Sequence, residues 1–173
     1  DVHFIYEKGK GSNSIPLIIT HGWPSTFAEM MDIIPMLTDP ASHGGDESDS
    51  FDVIVPSMPG YGFSEKPNSP GVNPKVIAQM WTDLMTGTLG YEKFVAQGGD
   101  WGAIVTAAIG VQNKGHCQGI HMNMPIAPPG PEQMDDLTEL EQRALAAQQF
   151  YQEHDSGYSK QQSTRPQTLG YGL

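Results

Sequence analysis

The sequence has a single cysteine, Cys117, among 173 residues, so no disulfide can form within the chain. A reducing compartment is the expectation, which in the simplest case is the cytoplasm. Basic residues are scarce as well: nine Lys and Arg face twenty Asp and Glu, for a formal net charge of −11. With no basic cluster to neutralise phosphates, nucleic acid and anionic membrane surfaces are disfavoured as partners. No apolar run approaches the length of a bilayer span and no signal peptide is visible. The first residue is Asp1 rather than Met, so attachment to a membrane through an upstream anchor stays undecided. The six histidines include His3, His43, His116, His121 and His154, none at metal-ligand spacing, so neither a metal nor another cofactor is expected. A small neutral or apolar substrate is compatible with all of these shortages.

Glycine and proline are plentiful by contrast, at 20 and 14 residues, and with 38% hydrophobic residues the chain reads as globular and loop-rich. Apolar runs predict strands at Ile15–Thr20, Phe51–Pro56, Lys93–Gly98 and, less regularly, Cys117–Asn123. Between them fall a short amphipathic helix over Phe27–Ile34, a longer one over Asn73–Leu89 and a third over Trp101–Val111. Asn73 suits an N-cap and Pro74 the first helical position. Strands alternating with helices imply an α/β fold with a doubly wound, mostly parallel sheet. Ligands gather at the carboxyl ends of such strands, where His21-Gly22-Trp23-Pro24, Pro59-Gly60-Tyr61-Gly62 and Asp100 all fall. A Pro-rich connector, Ile126 to Gln133, then leads to a helical stretch from Thr138 to Asp155 and a polar tail. The expected division is a core over residues 1–130 and the start of a second, helical unit over 131–173.

Gly98-Gly99-Asp100-Trp101-Gly102 has the form of a strand-to-helix elbow that presents a nucleophile, with Asp where Ser is usual. Attack by serine on saturated carbon would leave an ether that water does not readily cleave. Carboxylate attack leaves an ester, which activated water hydrolyses. A carboxylate is ionised at neutral pH and needs no base to activate it. The bland alternative for Asp100 is an N-cap on the following helix. Ester hydrolysis passes through an oxyanion, which calls for converging N–H donors. Those of Trp101, after the nucleophile, and Trp23, after the first strand, are the candidates. His21 reads better as a structural loop histidine than as a general base, and the methionine-rich helices read as packing.

HGWP (His21, Gly22, Trp23, Pro24), GYGFS and GGDWG (with Gly99, Asp100, Gly102) together resemble the epoxide hydrolases of the α/β-hydrolase fold. The likeness is strongest to the branch with the microsomal and juvenile-hormone enzymes and their soluble bacterial relatives. It extends through "GIHMNMP" and "GYSKQQSTRPQTLGYGL", over nearly the whole chain. The resemblance implies that Asp100 is the nucleophile and that the Trp23 and Trp101 N–H groups form the oxyanion hole. It implies further that Tyr158 is one of two cap tyrosines donating to the epoxide oxygen, and that residues 131–173 begin a helical cap. The expected reaction is hydrolysis of a small apolar epoxide to a vicinal diol, without a cofactor. The family's general-base histidine, its orienting acid and its second cap tyrosine have no counterpart in the sequence, and Ser25 stands where Gly is usual after HGWP. The chain therefore reads as the middle of a longer protein, unable to turn over alone and completed by a C-terminal polypeptide; an oligomer is compatible with it. A haloalkane dehalogenase-like enzyme and a non-catalytic homologue are the alternatives. A serine hydrolase using Ser25 or Ser64 is disfavoured because neither sits at an elbow.

Overall fold

The computed structural model describes residues 1–127 and 129–172. Strands β1 (Phe4–Glu7), β2 (Ile15–Thr20), β3 (Phe51–Pro56), β4 (Phe94–Gly98) and β5 (Cys117–Met122) form one sheet in the order β1-β3-β2-β4-β5. The last four run parallel, and β1 pairs antiparallel with β3 at the edge. Composition gave no sign of β1, whose four residues are half exposed and run straight into charge at Glu7 and Lys8. Asp52 on β3 holds it in place. Its buried carboxylate accepts from the Gly9 N–H (2.9 Å), Lys8 Nζ (3.1 Å) and the Tyr91 hydroxyl. Burial alone would raise the Asp52 carboxyl, but these donors outweigh it and hold it below the ordinary aspartate value.

Helices α1 (Ile34–Thr38), α2 (Pro74–Asp83) and α3 (Trp101–Gln112) complete the first of two units, Asp1–Pro125. The helix expected over Phe27–Ile34 is instead a 3₁₀ turn, Phe27–Met30, capped by the Thr26 hydroxyl, followed by a break and then α1. Pro35 explains the break, since a residue without an N–H is tolerated only in a helix's first turn. α2 starts as its sequence predicts, with Asn73 Oδ1 accepting from the N–H groups of Lys75 and Val76. It runs on through a π-helical turn, Leu84–Thr88. Gly87 in that turn has open space where a Cβ would stand. Gly87→Ala should therefore raise stability by roughly 0.5–1 kcal/mol, through the unfolded chain's lost freedom, and a urea titration would show it.

The sheet separates two apolar layers. Ile18, Ile54 and Ala96 face Ile77 and Trp81 of α2 and Val105 and Ile109 of α3. Leu17, Ile19, Val53 and Val55 face the other way and meet only Ile34 of the five-residue α1 among buried side chains. The helices after β2 and β4 thus lie on opposite faces while the strands themselves are neighbours. That makes their carboxyl ends a topological switch point, where open α/β sheets bind ligands.

The second unit, Ile126–Leu173, contains α4 (Glu139–Phe150), α5 (Gly157–Thr164) and α6 (Pro166–Gly172). Thr138 and Glu141 cap α4 reciprocally. The polar tail, to which periodicity assigned no element, forms α5 and α6, divided at Arg165 by the following proline.

Candidate active site

β4 ends at Gly98, and α3 begins three residues later. Asp100 between them has φ 52° and ψ −125°, and is the one non-glycine residue with positive φ among those described. A backbone there costs about 1–3 kcal/mol and persists where its surroundings enforce it. The turn is tight enough that two backbones nearly touch. A Cβ on Gly102 would stand 1.9 Å from the Thr20 carbonyl oxygen, and one on Gly98 would stand 2.1 Å from the carbonyl oxygen of Gly102. Only glycine fits either place, and α3 can then seat its first turn against β2.

The Asp100 side chain does not cap α3. Its Oδ1 accepts instead from the Trp23 backbone N–H at 2.8 Å, across 77 residues of sequence. Oδ2 takes no hydrogen bond among the described residues. The N-cap reading of Asp100 fails on this geometry. Gly22 permits the approach, since a Cβ there would lie 2.4 Å from the Asp100 Cβ. The Trp23–Pro24 peptide is cis. The Trp101 N–H, the second expected donor, makes no hydrogen bond among the described residues. The Trp101 ring is exposed and lies outside the cavity that Trp23 lines.

His21 is fully buried, and both ring nitrogens are engaged. Nε2 accepts from the Met58 N–H at 3.1 Å, so the proton resides on Nδ1, which donates to the Gly22 carbonyl at 3.0 Å. The histidine ties the loop after β2 to the loop after β3 and is not free to act as a base. Burial pushes its pKa below the ordinary value, against opposing contributions from the Gly22 carbonyl and Glu29. Folded chain then binds fewer protons than unfolded chain, so His21 favours the fold fully above pH ~6.5. That contribution is lost as pH falls through the depressed folded value. His21→Asn should flatten the fall in chemical stability between pH 7 and 5, even though it lowers stability throughout.

Tyr61, from the GYGFS stretch, stands edge-on to His21 and Trp23, with ring centroids at 5.2 and 6.2 Å. Burial, then the Asp100 charge, raises its phenol above the usual tyrosine value, so it remains protonated beside Asp100. Its role was not read from the sequence, although its position at the carboxyl end of β3 pointed to the same rim. Ser64 is buried, with its hydroxyl donating to the Ser57 carbonyl, which removes it as a nucleophile.

Asp100, Trp23, Gly22 and Gly99 line a trough of about 980 Å³. It extends down the sheet face that α1 covers incompletely, to Ile15 and Phe51 at the opposite ends of their strands. Six residues of strand make that about 20 Å. The end that holds Asp100 is also lined by Trp23, Gln97, His121 and Asn123; much of the remainder is open apolar sheet. Gln97 and His121 are register partners on one face, and the Asn123 amide packs against Gly99. Period-two alternation along β4 and β5 could have found them. His121 has no carboxylate hydrogen-bonded to it among the described residues. No group of three metal-ligating side chains occurs among them either. Tyr158 belongs to the second unit, exposed on α5, where its oxygen accepts from the Tyr151 hydroxyl at 3.0 Å.

A family model for the α/β-hydrolase fold matches residues 15–168, from β2 into α6. The chain belongs to the α/β-hydrolase fold family. A protein of Stigmatella aurantiaca is 48% identical over 99% of this chain, which spans 39% of that protein. Epoxide hydrolase 1 of Sus scrofa is 36% identical over the whole chain, with 42% of its own length covered. Among solved structures, Aspergillus niger epoxide hydrolase superposes with a TM-score of 0.73 at 28% identity, and the silkworm juvenile hormone epoxide hydrolase with 0.71 at 30%. The shared region is 99% of this chain in both cases, and 44% and 43% of those enzymes. The α/β-hydrolase chain thus spans about two fifths of the length of the relatives it matches.

Proposed function

We propose that this α/β-hydrolase chain carries the nucleophilic half of an epoxide hydrolase acting on small apolar epoxides. The observation that supports this most is Asp100 itself. It is held in a strained elbow, declines the helix cap, and has one oxygen fixed by the Trp23 N–H while the other stays free. In the first step Oδ2 attacks an epoxide carbon. The new C–O ester bond forms as the ring C–O bond breaks, and its electron pair goes to the departing oxygen, which takes a proton. The resemblance assigns that proton to Tyr158, in a cap begun by residues 131–173. A halide leaving group has no use for such a donor, which favours an epoxide over a haloalkane.

The second step needs a base to activate water at the ester carbonyl. His21 has both nitrogens occupied, and His121 has no acid to orient it among the described residues. The alkyl-enzyme is therefore expected to accumulate to one epoxide per chain when the 173-residue protein meets styrene oxide. We assign the base, and the cover over the open sheet face, to polypeptide corresponding to the further length of the relatives, supplied in cis or by a partner chain. A cytoplasmic setting is part of the same proposal. Intact mass spectrometry with peptide mapping tests it. Repeated turnover to diol by the chain alone would refute the missing-base reading, and no adduct at all would refute the proposed function.

A further inference from the structure

α4 does not end at Phe150 as an α-helix should, but continues as a π-helical turn, Tyr151–Asp155. Ser156, at φ −86° and ψ 15°, breaks the spiral before α5 begins at Gly157. The wide turn frees the Gln152 carbonyl, which accepts from both Ser156 Oγ and Lys160 Nζ at 2.6 Å. Those two bonds fasten the end of α4 to α5. Across the joint the Tyr151 hydroxyl donates to the Tyr158 oxygen at 3.0 Å. Neither ring is buried, so core packing does not account for the pairing. π-helical turns inside helices are frequently kept for a functional geometry.

A phenol oxygen can accept while still donating its own proton. With Tyr151 donating to it, the Tyr158 oxygen has one lone pair occupied, and its proton must point elsewhere. We propose that Tyr151 is the positioning residue for Tyr158, aiming its proton outward and holding the oxygen when that proton leaves. This rests on the reading of Tyr158 as proton donor. As the ring C–O bond breaks, the Tyr158 proton passes to the epoxide oxygen. The phenolate that remains keeps the hydrogen bond from Tyr151, whose own proton stays in place. A donor that accepts one hydrogen bond gives the next more readily.

Tyr151 carries the physical trace of the pair. Ionising it would forfeit its bond to Tyr158, and this, with the charge of Asp155 nearby, raises its pKa above the ordinary tyrosine value. The other titratable groups on the joint are Glu153 and His154, 3.9 Å apart, and Lys160, which is directed at Gln152.

The test combines a titration with a rate. In ring-labelled protein followed by NMR, Tyr151 should titrate above the ordinary tyrosine value and return toward it in Tyr158→Phe. Rates of adduct formation on Asp100 should fall by roughly 10²-fold in Tyr158→Phe and by roughly tenfold in Tyr151→Phe. A Tyr151 titration indifferent to Tyr158→Phe overturns the pairing. Intact pairing with a slow Tyr158→Phe and a normal Tyr151→Phe overturns the positioning role but leaves the proposed function standing. A normal rate in Tyr158→Phe removes the donor assignment, and the role of Tyr151 with it.

Discussion

Asp100→Asn is expected to eliminate the covalent adduct, lowering its rate of formation by roughly 10⁴-fold or more. The substitution changes almost nothing else. Asparagine has the same shape, tolerates positive φ better than most residues, and its Oδ1 can still accept the Trp23 N–H that Asp100 accepts at 2.8 Å. What disappears is the anionic oxygen, and a neutral carboxamide is a poor nucleophile toward saturated carbon. Melting temperature should therefore hold while the adduct peak vanishes. The informative comparison is Glu29, a second carboxylate lining the same trough. Glu29 lies outside the elbow and has no N–H fixing its carboxylate among the described residues, so Glu29→Gln should alkylate at an undiminished rate. An adduct that survives Asp100→Asn and maps to Glu29 would move the nucleophile and end the elbow argument.

The elbow was legible because its demands are steric and local. Small residues on both sides of Asp100 are required wherever β4, α3 and the loop after β2 crowd together, and the chain spells that requirement out as GGDWG. The parallel strands were legible for a similar reason, since burial on both faces writes itself as unbroken apolar runs such as Ile15–Thr20 and Phe51–Pro56. Other features depend on partners distant in sequence. β1 exists because β3 offers it an edge and Asp52 gathers Lys8, Gly9 and Tyr91, none of which FIYE announces. The apolar spacing of Phe27–Ile34 suits one helix, but Pro35 takes a first-turn position, so the helix starts anew at Ile34. Tyr61 lies at the carboxyl end of β3, but its edge-on packing against His21 and Trp23 depends on a loop distant in sequence. Trp101 shows the opposite case. Its place after Asp100 invites a role for the ring, yet the ring is exposed and does not line the trough.

Gly102→Ala should be the most damaging single methyl group in the first unit. The new Cβ would meet the Thr20 carbonyl oxygen at 1.9 Å, the Thr20 carbonyl carbon at 2.7 Å and the His21 carbonyl oxygen at 2.8 Å. All three are backbone atoms at the end of a central strand, so no side chain can swing aside to make room. α3 must back away from β2, and the cost should be roughly 3 kcal/mol, seen as a fall in melting temperature of roughly 10 °C. Gly110→Ala, on the same helix, calibrates the claim because its Cβ meets only the Ile120 side chain, at 3.1 and 3.7 Å. It should cost well under half as much. The consequence for chemistry follows from what α3 carries. Its first residue follows Asp100, and the loop it presses on holds His21 and the Trp23 N–H. Displacing the helix therefore lengthens the 2.8 Å bond that fixes the Asp100 carboxylate. Adduct formation in Gly102→Ala should drop by more than its unfolded fraction explains, whereas in Gly110→Ala the two should fall together. Equal losses in both variants would mean that the close approach of α3 to β2 supports the fold alone, and that the nucleophile's alignment is set elsewhere.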